Sequence, residues 1–129
     1  MRIILAIMVI AANLFAQLPV DQTTGGALNC RFWNASTYDQ QVGFVVGYFD
    51  AWQLIGTDTT LKSADYVPAD ATFGETAKGI EATCSAPENA RIPIHWALTL
   101  FTAKRSGMSE AKLTALIESF RKLSAQTGK

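Results

Sequence analysis

The chain has 129 residues, with 11 basic side chains, 11 acidic side chains and one histidine, so its formal net charge is zero. A balanced surface provides no electrostatic footprint for nucleic acid or for an anionic membrane. The length outside any leader suffices for one hydrophobic core but not for two.

Residues 1–16 carry a single positive charge at Arg2, an apolar stretch from Ile3 to Ala12, and a small residue at Ala16. That is the outline of a secretory signal peptide cleaved after Ala16, and its apolar core is too short for a membrane span. A retained amphipathic anchor or a buried helix is the alternative. The expected product is an exported protein of the bacterial periplasm, with residues 17–129 forming one helical domain and no membrane span after leader cleavage.

Residues 17–29 are polar and include Thr23-Thr24-Gly25-Gly26, which reads as a flexible lead-in. The stretch from Cys30 to Trp52 follows. Ser36 and Asp39 have the spacing of a capping box, and the apolar rows 42, 45, 49, 52 and 44, 48, 52, 55 both fit helical periodicity. A helix apolar on most sides is expected to be central and buried. A strand is the competing reading, because Val42 to Phe49 is rich in β-branched and aromatic residues. Gly43 and Gly47 lie four apart on one side of this helix, and each costs about 1 kcal/mol of helix propensity relative to alanine. Close packing, or a binding face made by Gly43, Gly47, Tyr48, Asp50 and Trp52, would offset that cost.

From Gly56 to Pro68 the chain is polar and reads as a long connection. Thr72 and Glu75 form another capping-box pair, opening a helix whose apolar stripe is Phe73, Ala77, Ile80 and Cys84. A third helix follows Pro93, with core positions Ile94, Ala97, Leu98 and Phe101, widened by Ile92, Trp96 and Leu100. Gly107 is its natural stop. Ser109 then caps a fourth helix with the stripe Leu113, Leu116, Ile117, Phe120 and Ser124. The expected fold is all-α, a small bundle of about four helices.

Cys30 and Cys84 are the only cysteines, and in an oxidising compartment they are expected to form a disulfide. The rival reading, a catalytic thiol, needs a positioned base, and His95 is the sole histidine. The positions 30, 84 and 95 match no tetrahedral zinc pattern. His95 has no serine or aspartate context, and Asp39, Asp50, Asp58, Asp65 and Asp70 show no acid–base pairing in their spacing. Trp33, Trp52 and Trp96 read as core residues rather than a binding platform. No catalytic residue, cofactor or metal is expected. A protein partner or a second copy of the chain is.

Cys30, Phe32 two positions on, Val42-Gly43-Phe44 opening a helix, and Gly79-Ile80 shortly before Cys84 together resemble the HdeA family of small periplasmic acid-stress chaperones. The resemblance covers roughly residues 28–100. It implies an all-helical fold with one disulfide, dimers at neutral pH, and apolar surface that holds other proteins soluble in acid. The region from Val42 to Trp52 would then contain client or dimer surface. The loop between the cysteines is longer than in that family, and the Gly107 hairpin departs from its pattern. Phe44-Val45-Val46-Gly47-Tyr48, with Pro87 to Ile94 and Ala97-Leu98, also resembles a set of small exported bacterial proteins without assigned activity. The cysteine followed by a Gly-Tyr helix is similar in outline to periplasmic immunity proteins that neutralise secreted cell-wall amidases, although those usually carry additional cysteines. Protein binding in acid stress is therefore the expected function, with an immunity or inhibitor role as the alternative and a small hydrolase third.

Overall fold

Asn29 fixes the start of the fold. It is fully buried, and its side-chain oxygen accepts from the backbone N–H groups of Arg31 (3.0 Å) and Phe32 (3.4 Å), capping a short helix. Its amide nitrogen donates to the Asp21 carbonyl (2.9 Å) and to Thr24 Oγ1 (3.2 Å), tying that helix to the chain before it. The computed structural model describes residues 20–56 and 70–127. The expected leader, most of the connection from Gly56 to Pro68, and Asp58 and Asp65 lie outside the described residues.

Among the described residues the order is a 3-10 turn (Val20–Gln22), β1 (Thr23–Thr24), β2 (Ala27–Leu28), α1 (Cys30–Ala35), α2 (Tyr38–Gly56), α3 (Phe73–Cys84), a second 3-10 turn (Pro87–Asn89), α4 (Ile94–Arg105) and α5 (Glu110–Gln126). The all-α expectation holds, and four of the five helices are those the periodicity marks. Residues 20–28, expected to be a flexible lead-in, instead form a hairpin in which β1 and β2 pair antiparallel, Thr23 opposite Leu28 and Thr24 opposite Ala27. Gly25 and Gly26 both take positive φ (57° and 80°), the conformation a tight two-residue turn requires.

Two helix starts differ in detail from the sequence expectation. Ser36 does not open α2; its hydroxyl donates back to the Phe32 carbonyl (2.8 Å) at the end of α1. Thr37 and Gln40 form the reciprocal pair instead, Thr37 N–H donating to Gln40 Oε1 (2.9 Å) and Gln40 N–H to Thr37 Oγ1 (3.4 Å). At the head of α3 the Thr72–Glu75 capping box is present as expected. Ser109 is the N-cap residue of α5, but its side chain makes no capping hydrogen bond. Gly107 ends α4 as expected: at φ 84° it donates to the Lys104 carbonyl, while Met108 donates to that of Ala103, the paired bonds of a Schellman motif.

The core lies where α1, α3 and α4 meet, with Cys30, Trp33, Ala77, Ile80, Ile94 and Ala97 each at most 1% exposed. Cys30 and Cys84 are joined by a disulfide across 54 positions, inside this core. The Asn34 amide donates to the Cys84 carbonyl (2.8 Å) beside it. α3 and α4 approach each other closely, so that a methyl group on Gly79 would overlap the ring of Phe101. On the other side of α4, Trp96 stacks on Phe120 of α5 with ring centroids 4.8 Å apart.

The expectation that α2 is the central, buried helix is not met. Among its residues 38–51 only Val45 is buried, and α2 packs mainly on α3 from outside the core. Phe73, expected on the inner stripe of α3, is 43% exposed at the junction with α2. No helix among the described residues is long and apolar enough to cross a membrane.

Candidate functional site

The sequence motif around Gly43 and Gly47 resolves into two sides of α2. Asp39, Gln40, Gly43, Gly47, Asp50 and Ala51 are exposed and occupy one outward arc of the helix. A Cβ built on Gly43 or on Gly47 would have no neighbouring heavy atom within 4 Å. No described part of the chain therefore packs closely against these glycines. Asp39 and Asp50 bracket the arc, and neither makes a hydrogen bond or ion pair with a described residue. Along this arc the backbone can be approached closely from outside, between two carboxylates spaced about three turns apart.

Tyr48 belongs to the other side. It is half-buried and stacks on Phe44 (centroids 6.4 Å apart), which meets the buried Trp33 edge-on at 6.2 Å. This aromatic row, with Val45, attaches α2 to the rest of the domain. Of the five residues expected to share a face, Gly43, Gly47 and Asp50 are together on the exposed arc and Tyr48 is not. The side chain of Trp52 lies outside the described residues.

The head of α3 meets α2 at two places along that helix. Phe49 and Phe73 make an edge-on contact at 5.4 Å, and the Tyr38 hydroxyl lies over Gly74. The head of α3 is held by charge. Arg105, at the end of α4, donates from Nε to Asp70 Oδ1 (3.2 Å) and from Nη2 to both Asp70 Oδ2 (3.3 Å) and the Asp70 carbonyl (3.2 Å). Its Nη1 lies 4.0 Å from Glu75 Oε1. The hydrogen bond from Arg105 holds the Asp70 carboxyl below its ordinary value of 3.8. Bonds from the Thr72 backbone and hydroxyl hold that of Glu75 below 4.5, with Arg105 adding to the effect. Both carboxylates are thus needed in charged form, one to clasp α4 and the other to cap α3. Asp70 and Arg105 pair across 35 positions, which leaves no local pattern in the sequence.

His95 is half-buried on α4, edge-on to Trp96 at 5.7 Å, and burial pushes its pKa below 6.5. Among the described residues, no group of three His, Cys, Asp or Glu side chains is placed to hold a metal ion. No family model, no curated protein and no solved structure matches this chain.

Proposed function

We propose that this chain is a non-enzymatic, exported, protein-binding protein that holds apolar segments of unfolding proteins in acid. The support is the open glycine arc of α2. Two glycines inside a helix cost about 2 kcal/mol of propensity together, and no packing partner among the described residues offsets it. An extended or helical apolar segment lying along Gly43, Gly47 and Ala51 would gain close backbone contact there.

The charges around α2 give the acid dependence. At neutral pH an apolar segment on this arc would have to desolvate Asp39 and Asp50. Acid that discharges Asp70 and Glu75 frees the head of α3 and the Phe49–Phe73 contact against which α2 rests. This fits the acid-stress role that the HdeA-like pattern implies, with the disulfide holding α1 to α3 while α2 loosens.

The test is light scattering of an unrelated protein brought to about pH 2.5 and then to pH 7, with and without the purified chain. Suppression of scattering at the acid pH alone is the expected result, and no suppression at either pH would refute the proposal. A tight, pH-independent complex with one folded toxin is instead what an immunity protein would show.

A further inference from the structure

A second site lies away from α2, where the loop before α4 meets α1 and α5. A cavity of 250 Å³ opens there, with Arg31, Arg91, Arg121 and Ser124 in its wall. Glu88 is the one acidic residue lining it. The backbone sets these groups side by side: the Cys30 N–H donates to the Ile92 carbonyl (2.9 Å) and the Arg31 N–H to that of Ala90 (3.1 Å). Arg31 and Arg91 are thereby carried on neighbouring strands of chain.

The three arginines differ in how far their donors are used. Arg121 is fixed by bonds from Nε to Asn89 Oδ1 (2.7 Å), from Nη1 to Glu118 (2.9 Å) and from Nη2 to Glu88 (3.3 Å), which leaves two of its five N–H groups unspent. Arg31 has one long contact, 3.5 Å to Asp21. Arg91 makes no hydrogen bond or ion pair with any described residue. The fourth group is Ser124. It is 1% exposed, lines the cavity, and its hydroxyl has no hydrogen-bond partner. A buried hydroxyl left unpaired costs stability, and such an orphan in a native fold calls for an occupant that satisfies it.

We propose that this cavity binds a small oxyanion, a carboxylate or phosphate group on a compact ligand. The oxyanion accepts from Arg91, from the unspent donors of Arg31 and Arg121, and from the Ser124 hydroxyl. Planar guanidinium groups match the geometry of both oxyanions. Pro87, Ile92 and Ala125 supply an apolar wall for a short hydrocarbon part. The volume lies just under the usual range for drug-sized ligands, which restricts the occupant to a few heavy atoms beyond the anionic group.

The test is a titration of isotope-labelled full chain at constant ionic strength, followed by NMR, with inorganic phosphate in one arm and butyrate in the other. Saturable shifts at Ser124 and at the arginine Nε–H groups are expected in at least one arm, and the arm that saturates at lower concentration identifies the headgroup. Arg91→Gln should weaken that binding about tenfold, the loss of one charge-assisted contact, with no change in melting temperature because Arg91 holds nothing else. Ser124→Ala should weaken it less and should not lower stability, since the buried hydroxyl has no partner to lose. Shifts that fail to saturate in both arms, equal shifts with sodium chloride, or unchanged affinity in Arg91→Gln would each overturn the assignment.

Discussion

Arg105 grips both carboxylate oxygens of Asp70, Nε 3.2 Å from Oδ1 and Nη2 3.3 Å from Oδ2, and so ties the last turn of α4 to the residues just ahead of α3. Planar two-point pairing is the strongest form of such a contact, although it lies at the surface and is screened by salt. Its importance is its position, beside the junction of Phe73 with α2.

Loss of this clasp should move the acid transition. The Asp70 and Glu75 carboxyls have depressed values in the folded state, so their contribution is full above the ordinary values of 3.8 and 4.5 and is lost as pH falls through the lower folded ones. In Asp70→Asn the Asp70 share is absent at every pH, while that of Glu75, held by Thr72, remains. A dye that binds exposed apolar surface, followed during acid titration, should respond at higher pH in Asp70→Asn than in the parent chain. The two curves should converge once both carboxylates are protonated.

His95 should add an earlier, smaller slope. Its folded value is depressed by burial, so the unfolded chain takes up the proton first, and stability falls as pH drops below 6.5 toward the folded value. Histidine NMR should show a midpoint below 6.5, and His95→Gln should flatten the dependence of stability on pH in that window alone.

The glycines should separate by sign. Gly79→Ala drives a methyl group into the Phe101 ring and should cost about 1–3 kcal/mol by denaturant unfolding, the usual range for an overpacked core. Gly43→Ala and Gly47→Ala meet open space, so each should stabilise the free chain by about 1 kcal/mol through helix propensity. The same two substitutions should weaken the holding of client protein.

Reduction should expose how much the disulfide contributes. With 54 positions between the cysteines, the chain-entropy account gives about 4 kcal/mol. The denaturant midpoint of the reduced chain, or of Cys30→Ser with Cys84→Ser, measures it. Both sulfurs belong to buried residues, at 0% and 1% exposure, so reductant should act slowly on the folded chain.

The periodic features were legible from the residues. Ala77, Ile80 and Cys84 sit on the buried side of α3 as their spacing requires, and Thr72–Glu75 and Gly107 bound their helices as their chemistry dictates. The exposure of α2 has a physical reason that its sequence does not carry. Its apolar residues surround the helix, so periodicity does not tell which side the domain covers, and the glycines that suggested tight packing lie on the uncovered side. Tight packing belongs to Gly79 instead, which carries no such signal because its partner is Phe101 on another helix. The Asp70–Arg105 clasp and the Arg31, Arg91, Arg121 cluster escaped for the same reason. Each joins residues distant in the chain, and only the fold brings them together.

The most direct measurement places a photo-crosslinking residue at position 47 on the outward arc of α2, and a control at Lys112 on the exposed side of α5, then irradiates each with an unfolding client protein at about pH 2.5 and at pH 7. Client adducts are expected from position 47 in acid and few at neutral pH, with few from position 112 at either. Equal adducts from both positions, or adducts at position 47 that do not depend on pH, would contradict that expectation.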